Sequence, residues 1–317
     1  MSAKTKTPIT NSAGPGFFNK SMDISVIVVN YNTKKLTEDC ISSVYKLTRG
    51  VRFEVIVIDN ASKDGSQEYL KKKFPQVTFI LNKENLGFAR ANNQGVKIAK
   101  GEYVLFLNSD AYFIENSLAK LVSKAKKIEG IAVLAPTILN VDKTIQQSVG
   151  FFPHIPQLFY WMSFLDDLPF GEKLKPYHVD HDSFYKNENV IDWATGAALL
   201  VVKAALVKLG AFDKNIFMYG EDVELCYRIK KAKLKIIYTP LTRIVHIGSG
   251  SSGKISKNAF IGEFIGVIYF YKKYRGNISL QILRLFLKMG ALARILIFSL
   301  LGRKELAKFY AEALKVV

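Results

Sequence analysis

Four short apolar runs, separated by stretches of helical periodicity, constrain this chain more than any other feature. Ile24–Asn30 reads ISVIVVN and Phe53–Asp59 reads FEVIVID, both rich in β-branched residues and bounded by turn formers. Val77–Leu81 and Val104–Asn108 repeat the pattern, with helical segments between them at Leu36–Leu47, up to about Phe74, and at Phe88–Ala99. Strands that alternate with helices join through right-handed crossovers into a mostly parallel sheet flanked by helices. In such α/β sheets the chemistry gathers at the carboxyl ends of the strands. Those ends are polar here: Asn30 and Asn32, then Asp59 and Asn60, then Asn108, Ser109 and Asp110.

The fourth run ends as VLFLNSDA at Val104–Ala111, bringing an amide and a carboxylate to the sheet edge. A short carboxylate fixed there suits a hard divalent cation, which in turn holds a diphosphate through its oxygens. An Asx-type turn would use the same residues, so these three positions do not decide the matter alone.

Beyond them come a helix at Ser117–Ile128 and a strand at Ile131–Ala135. Periodicity then weakens from Pro136 to Asn189, where prolines at 153, 156, 169 and 176 sit among Phe159, Tyr160, Trp161, Phe164 and Phe170. This reads as an irregular insertion, either a satellite core under long loops or an acceptor-binding surface. Asp192–Val202 restores an apolar strand and Lys203–Leu209 a helix. Phe217–Arg228 opens a helix with an acidic cluster, as the helix dipole favours. Leu234–Tyr238 is the next strand, followed by Val245, His246 and Ile247.

At 317 residues the chain accommodates one large domain, and its formal charge of +18 predicts attraction to phosphate in a substrate, a lipid or a nucleic acid. No zinc, RRM or helix-turn-helix signature accompanies the charge, so nucleic acid is not the expected partner. Cys40 and Cys226 lie far apart and fit reduced thiols in the cytosol. Residues 1–22 are polar, lack an apolar h-region and read as a disordered leader. Gly248–Lys254 fits G-x-x-x-x-G-K, but Ile255 stands where a P-loop needs Ser or Thr, and the segment reads as a mobile loop near His246. No G-x-G-x-x-G follows the first strand, which argues against a dinucleotide oxidoreductase. Ile278–Leu301 is apolar but carries Arg284, Lys288 and Arg294, too many charges for a spanning helix. It suits a helix in the membrane interface, the alternative being helices packed on the catalytic domain.

Taken in order, VVNYN (Val28–Asn32), IDNASKDGS (Ile58–Ser66), NLGFARANNQG (Asn85–Gly95), LNSDA, TGAALLV (Thr195–Val201) and MYGEDVELCYR (Met218–Arg228), with His246 after them, resemble the inverting glycosyltransferases of family 2. Within that family they resemble the bacterial rhamnosyltransferase-like branch, over about residues 23–250. The resemblance implies a GT-A fold, a Rossmann-like mostly parallel sheet flanked by helices. It implies a catalytic domain at 23–255, with a nucleotide half at about 23–135 and an acceptor half at about 136–255. The remaining 256–317 would be a basic amphipathic helical extension.

The resemblance also assigns roles. Asp59 would accept the imide N–H of uracil or thymine, with Asn30, Asn32, Asn60, Arg90 and Asn108 around the nucleotide sugar. Asp110 would hold Mg²⁺ or Mn²⁺, with His246 a further ligand or merely a hydrogen-bonded neighbour; Asn108 replaces the first acid of the family's Asp-x-Asp. Asp222, beside Glu221, would be the base that activates the acceptor, kept ionised by the helix amino terminus, although helix capping would also select acids at Glu221, Asp222 and Glu224. Thr195, Gly196 and Ala197 would wall the sugar. The implied reaction moves a sugar, first L-rhamnose from dTDP-rhamnose, to a lipid-linked or polysaccharide acceptor. It would take place on the inner face of the cell membrane, against an anionic surface. A UDP-hexose donor, or nucleotide-sugar binding without catalysis, are the alternatives.

Overall fold

A computed structural model describes residues 22–163, 175–248 and 257–317. The leader expected at 1–22, apart from Met22, lies outside the described residues, as do Phe164, Phe170 and the GSGSSGK segment beyond Gly248. Strands β1 (Ile24–Asn30), β2 (Phe53–Asp59), β3 (Thr78–Leu81) and β4 (Tyr103–Asn108) alternate with helices α1 (Lys34–Leu47), α2 (Ser66–Lys73) and α3 (Gly87–Ile98). They pair in parallel in the order β3-β2-β1-β4. Successive side chains on these strands go to opposite faces. Ile27, Ile56, Ile58 and Phe106 pack with α3, whereas Val26, Val28, Val55 and Leu105 pack with Cys40, Ile41 and Val44 of α1. Both faces are therefore buried, as the unbroken apolar runs require.

The sheet continues through β5 (Ala111–Phe113), β6 (Ile131–Leu139), β10 (Ala198–Val202) and β11 (Lys235–His246), giving the order β3-β2-β1-β4-β10-β6-β11-β5. β10 runs antiparallel between β4 and β6, while β11 is parallel to β6. β8 (Asn189–Val190) pairs with β11, and β7 (Val149–Gly150) with β9 (Trp193–Ala194) forms a separate ribbon. Helices α4 (Ser117–Ala125), α5 (Ile155–Ser163), α6 (Lys203–Leu209) and α7 (Glu221–Lys231) are joined by α8 (Lys257–Tyr274), α9 (Gly276–Leu300) and α10 (Lys304–Leu314).

Three local expectations change. Asp192–Val202 is not one strand: β9 and β10 belong to different sheets, because the backbone at Thr195–Ala197 turns away to bond Ser148, Asp222 and Asn108. The strand expected at Leu234–Tyr238 does not stop there, since β11 runs on to His246 and absorbs Pro240, which has no N–H to donate, in a register shift between Thr239 and Arg243. The aromatic stretch after Pro136 is only partly irregular, holding the end of β6, β7 and the whole of α5.

Candidate active site

The carboxyl ends of β1, β2 and β4 stand side by side, Asn30 level with Asp59 and Val29 level with Asn108. Asn30 is fully buried and its amide is spent. Its Nδ2 donates to Asp59 Oδ2 at 2.5 Å and to Ser62 Oγ at 3.0 Å, and its Oδ1 accepts from Thr33 and Thr37. Asn32, in the left-handed region at φ 54°, accepts the Lys63 N–H. Neither side chain lines the cleft; Tyr31 and Thr33 do, because the backbone alternation turns Asn30 and Asn32 toward the β2 loop. Asp59 is also buried and accepts from Asn30, from Ser62 N at 2.9 Å and from Gln67 Nε2 at 2.7 Å. Three of a carboxylate's four lone-pair positions are thus taken, and one on Oδ2 remains. Asn60 faces the cleft and steadies the start of α3 through Gly87 O.

The NLGFARANNQG segment is a brace. Asn93 exchanges two hydrogen bonds with the Phe212 backbone, Arg90 Nε donates to Lys214 O at 2.9 Å, and Phe88 N donates to Phe217 O. Arg90 is exposed and outside the cleft wall, so its guanidinium serves the 212–217 loop. Gly87 has φ 79° and no room for a Cβ, which would meet Phe217 O at 2.5 Å. Arg90, expected beside the nucleotide, therefore helps to fix the loop that leads into α7.

After β4, Asp110 meets His246 at the end of β11, with Nε2 3.2 Å from Oδ1. Gln146 donates its amide to Asn140 Oδ1 and to His246 O, so its Oε1 accepts from His246 Nδ1 at 2.7 Å. In the neutral ring that places the proton on Nδ1 and leaves the Nε2 lone pair beside Asp110, whereas in the protonated ring Nε2 donates to the carboxylate; Asn108 Nδ2 also approaches Nε2 at 3.1 Å. Burial pushes the Asp110 carboxyl up, but the His246 hydrogen bond and charge and the Gly248 N–H outweigh it and hold the group below its usual value. An ionised carboxylate beside an imidazole lone pair suits a divalent cation. Among the described residues no third His, Cys, Asp or Glu completes such a site, so further ligands must come from a bound diphosphate or water.

The acidic pair at the start of α7 follows a strained turn. Tyr219 at φ 71° and Gly220 at φ 88° are both left-handed. Asp222 Oδ2 accepts Gly196 N at 3.1 Å and its Oδ1 accepts Val223 N. Burial raises the Asp222 carboxyl, with the Val223 and Gly196 N–H groups opposing it. Burial and then the Asp222 charge push Glu221 up to about 8, and its Oε2 has no hydrogen-bond partner. Desolvation thus works against the helix terminus that was expected to keep Asp222 ionised. Glu224, the third acid, faces away and is bound by Arg228, Lys273 and Tyr274.

One cleft of about 810 Å³ is lined by Asn60, Asn108, Asp110, Thr195, Gly196, Glu221 and Asp222, with Asp59 and His246 behind its wall. Gly196 permits the approach of Phe88, whose ring lies 3.3 Å from where a Cβ would stand. The far wall is aromatic: Trp161, Tyr177 and Trp193, with ring centroids 5.8 and 5.6 Å apart, and with His178 paired to Glu263. Glu263 and Phe260 come from α8 and Tyr310 from α10, so the carboxyl-terminal helices furnish part of the site. Sequence reasoning missed His178, Glu263 and Tyr219, which no local pattern marks. One signal existed, the spacing of Gly262 and Gly266. A Cβ at Gly262 would meet the Tyr219 ring at 2.1 Å, and one at Gly220 would meet Gly266 Cα at 2.8 Å, so α8 presses on the strained turn itself.

The family model described as Glycosyl transferase family 2 matches residues 25–191. An N-acetylglucosaminyl-diphospho-decaprenol L-rhamnosyltransferase of Mycobacterium tuberculosis is 26% identical over 244 residues, 73% of this chain and 78% of that one. The low-salt glycan biosynthesis hexosyltransferase Agl10 of Haloferax volcanii is 24% identical over 239 residues, 71% of this chain and 67% of its own. Among solved structures, GalNAc-T7 with UDP, GalNAc and Mn²⁺ aligns at TM-score 0.53 and 20% identity, over 86% of this chain and 55% of that one, a likeness of fold.

Proposed function

We propose, from the premise that the chain belongs to glycosyl transferase family 2 and is a glycosyltransferase, that it moves a sugar from a pyrimidine nucleoside diphosphate to a lipid-linked or polysaccharide acceptor with inversion. The carrying observation is that Asp110, which pairs with His246, lines the same cleft as Glu221 and Asp222. About residues 23–135 hold the donor, and about 136–255 with α8 and α10 receive the acceptor. Asp222 removes the acceptor hydroxyl proton while that oxygen bonds the anomeric carbon and the bond to the diphosphate breaks. Two backbone N–H groups fix its carboxylate in place for this. Asp110 and His246 would hold Mg²⁺ or Mn²⁺, which when bound neutralises charge on the departing diphosphate.

The remaining lone pair of Asp59 Oδ2 would take the imide N–H, common to thymine and uracil. The names of the relatives favour dTDP-L-rhamnose, with a UDP-hexose as the second donor, and the decaprenol-linked substrate in one name favours a lipid-linked acceptor at the inner membrane face. The aromatic wall, with its rings tilted at 66° and 46° to one another, offers apolar surface to a sugar ring. A thermal-shift screen of UDP, dTDP and GDP with and without Mn²⁺ tests the reading. Metal-dependent stabilisation by a pyrimidine diphosphate is expected; no response to any nucleotide would overturn it.

A further inference from the structure

We infer that the outer face of α9 is a membrane-seating surface that takes an anionic lipid bilayer and lies along its interface. Ile278, Ile282, Leu285, Met289, Leu292 and Leu296 are all exposed, Ile278 by 80% and Leu296 by 62%. Their spacing alternates between four and three residues, so they form one stripe along a helix of 25 residues, about 37 Å long. Leu280, Leu283, Leu287, Ala291 and Phe298 on the other side are buried against the protein. The helix is thus apolar on two faces, and the described residues cover only one of them. Phe159 of α5 is exposed next to Phe286 and widens the apolar patch.

Charge selects the occupant. From Phe264 to Lys304 the sequence holds no Asp or Glu, while Lys272, Arg284, Lys288, Arg303 and Lys304 are among its cations. A second copy of α9 laid on the stripe would bring like charges together with no carboxylate to answer them. Anionic lipid headgroups answer them directly. None of the described helices is long and apolar enough to cross a membrane, which leaves the interface.

The covered face shows what seating would serve, a purpose that rests on the proposed lipid-linked acceptor. Arg294 donates to Met162 O at 2.6 Å and to Trp161 O, gripping the carboxyl end of α5. Gly290 lets Met162 approach, since a Cβ there would meet its Cε at 2.5 Å. One helix therefore carries the bilayer on its outside and steadies the Trp161 wall of the cleft on its inside.

The test is flotation of the full chain with vesicles of phosphatidylcholine alone or with phosphatidylglycerol, for wild type and a Leu285→Ser, Leu292→Ser, Leu296→Ser variant. Wild type should float with the anionic vesicles and bind neutral ones about thirtyfold more weakly, the worth of two interfacial cations. The variant should stay at the bottom while its calorimetric response to UDP or dTDP is unchanged. Should it fail to fold, Arg284→Glu with Lys288→Glu keeps the stripe and should abolish the preference for phosphatidylglycerol. Wild type that never floats, or variants that float like wild type, would overturn the inference. So would a wild-type dimer in light scattering that the Ser variant dissolves while neither protein floats. Loss of nucleotide binding in wild type would count against the transferase reading and leave the lipid result standing.

Discussion

Gly196 N–H donates to Oδ2 of Asp222 at 3.1 Å, so the turn between β9 and β10 and the first turn of α7 grip one carboxylate between them. The bond aims the group without neutralising it. Asp222→Asn should keep nucleotide binding and lower transfer about a thousandfold, within the range a general base supplies. Nucleoside diphosphate released from dTDP-rhamnose or a UDP-hexose in the presence of a membrane lipid extract, beside calorimetry on the same samples, checks both halves. Retained turnover would make Asp222 a cap only.

Glu221 carries the second prediction, in pH. Its folded value near 8 lies above the ordinary 4.5, because burial and the Asp222 charge disfavour the ionised form. The fold therefore binds this proton more tightly than the unfolded chain. The associated stability is complete below about pH 4.5 and is lost as pH rises through about 8. Glu221→Gln has no such proton, so its melting temperature should gain on wild type by about 5 °C between about pH 5 and pH 8. Parallel melting curves for the two proteins would refute the assignment.

The Asp110–His246 pair predicts a metal response. Asp110→Ala should remove the Mn²⁺-dependent part of nucleotide binding, because the ion would keep only one protein ligand. Asn108→Asp should act oppositely, tightening Mn²⁺ about tenfold by restoring a charge beside His246 Nε2. Titration of Mn²⁺ in the presence of UDP or dTDP reads both changes.

Glu224 separates architecture from chemistry among the three acids. It is buried and accepts from Arg228, Lys273 and Tyr274, tying α7 to α8. Glu224→Ala would leave Lys273 with Asp213 alone and Arg228 with the carbonyls of Leu209, Gly210 and Ala211, and should destabilise the protein by about 3 kcal/mol in urea unfolding. Nucleotide affinity of the protein that remains folded should be unchanged.

The third of the chain before Asp110 was legible because each strand lies between two helical layers and so reads as an unbroken apolar run. The same logic brought Asp59, Asn108 and Asp110 to one edge. It could not tell which polar side chains face the cleft: Asn30 and Asn32 brace loops, and Arg90 holds Lys214, because those partners lie 30 to 124 residues away. The TGAALLV segment misled for a related reason, since Gly196 gives its N–H to Asp222 instead of a strand. The Glu263–His178 pair joins two segments that share no periodicity, and only the folded chain brings them together. The burial that opposes the helix terminus at Asp222 could not be read in advance, because a helix terminus is visible in sequence and the depth of burial is not.

The seat of α8 against Tyr219 and Gly220 bears on how such chains exchange parts. Gly262, Gly266 and Gly220 form a notch that no side chain larger than hydrogen fits, directly behind the acidic pair. A carboxyl-terminal segment borrowed from a relative would preserve the geometry of Glu221 and Asp222 only if it brought a matching pair of small residues one helical turn apart. The tail is then not freely interchangeable cargo, because the three glycines fit one another as a single unit that spans the join.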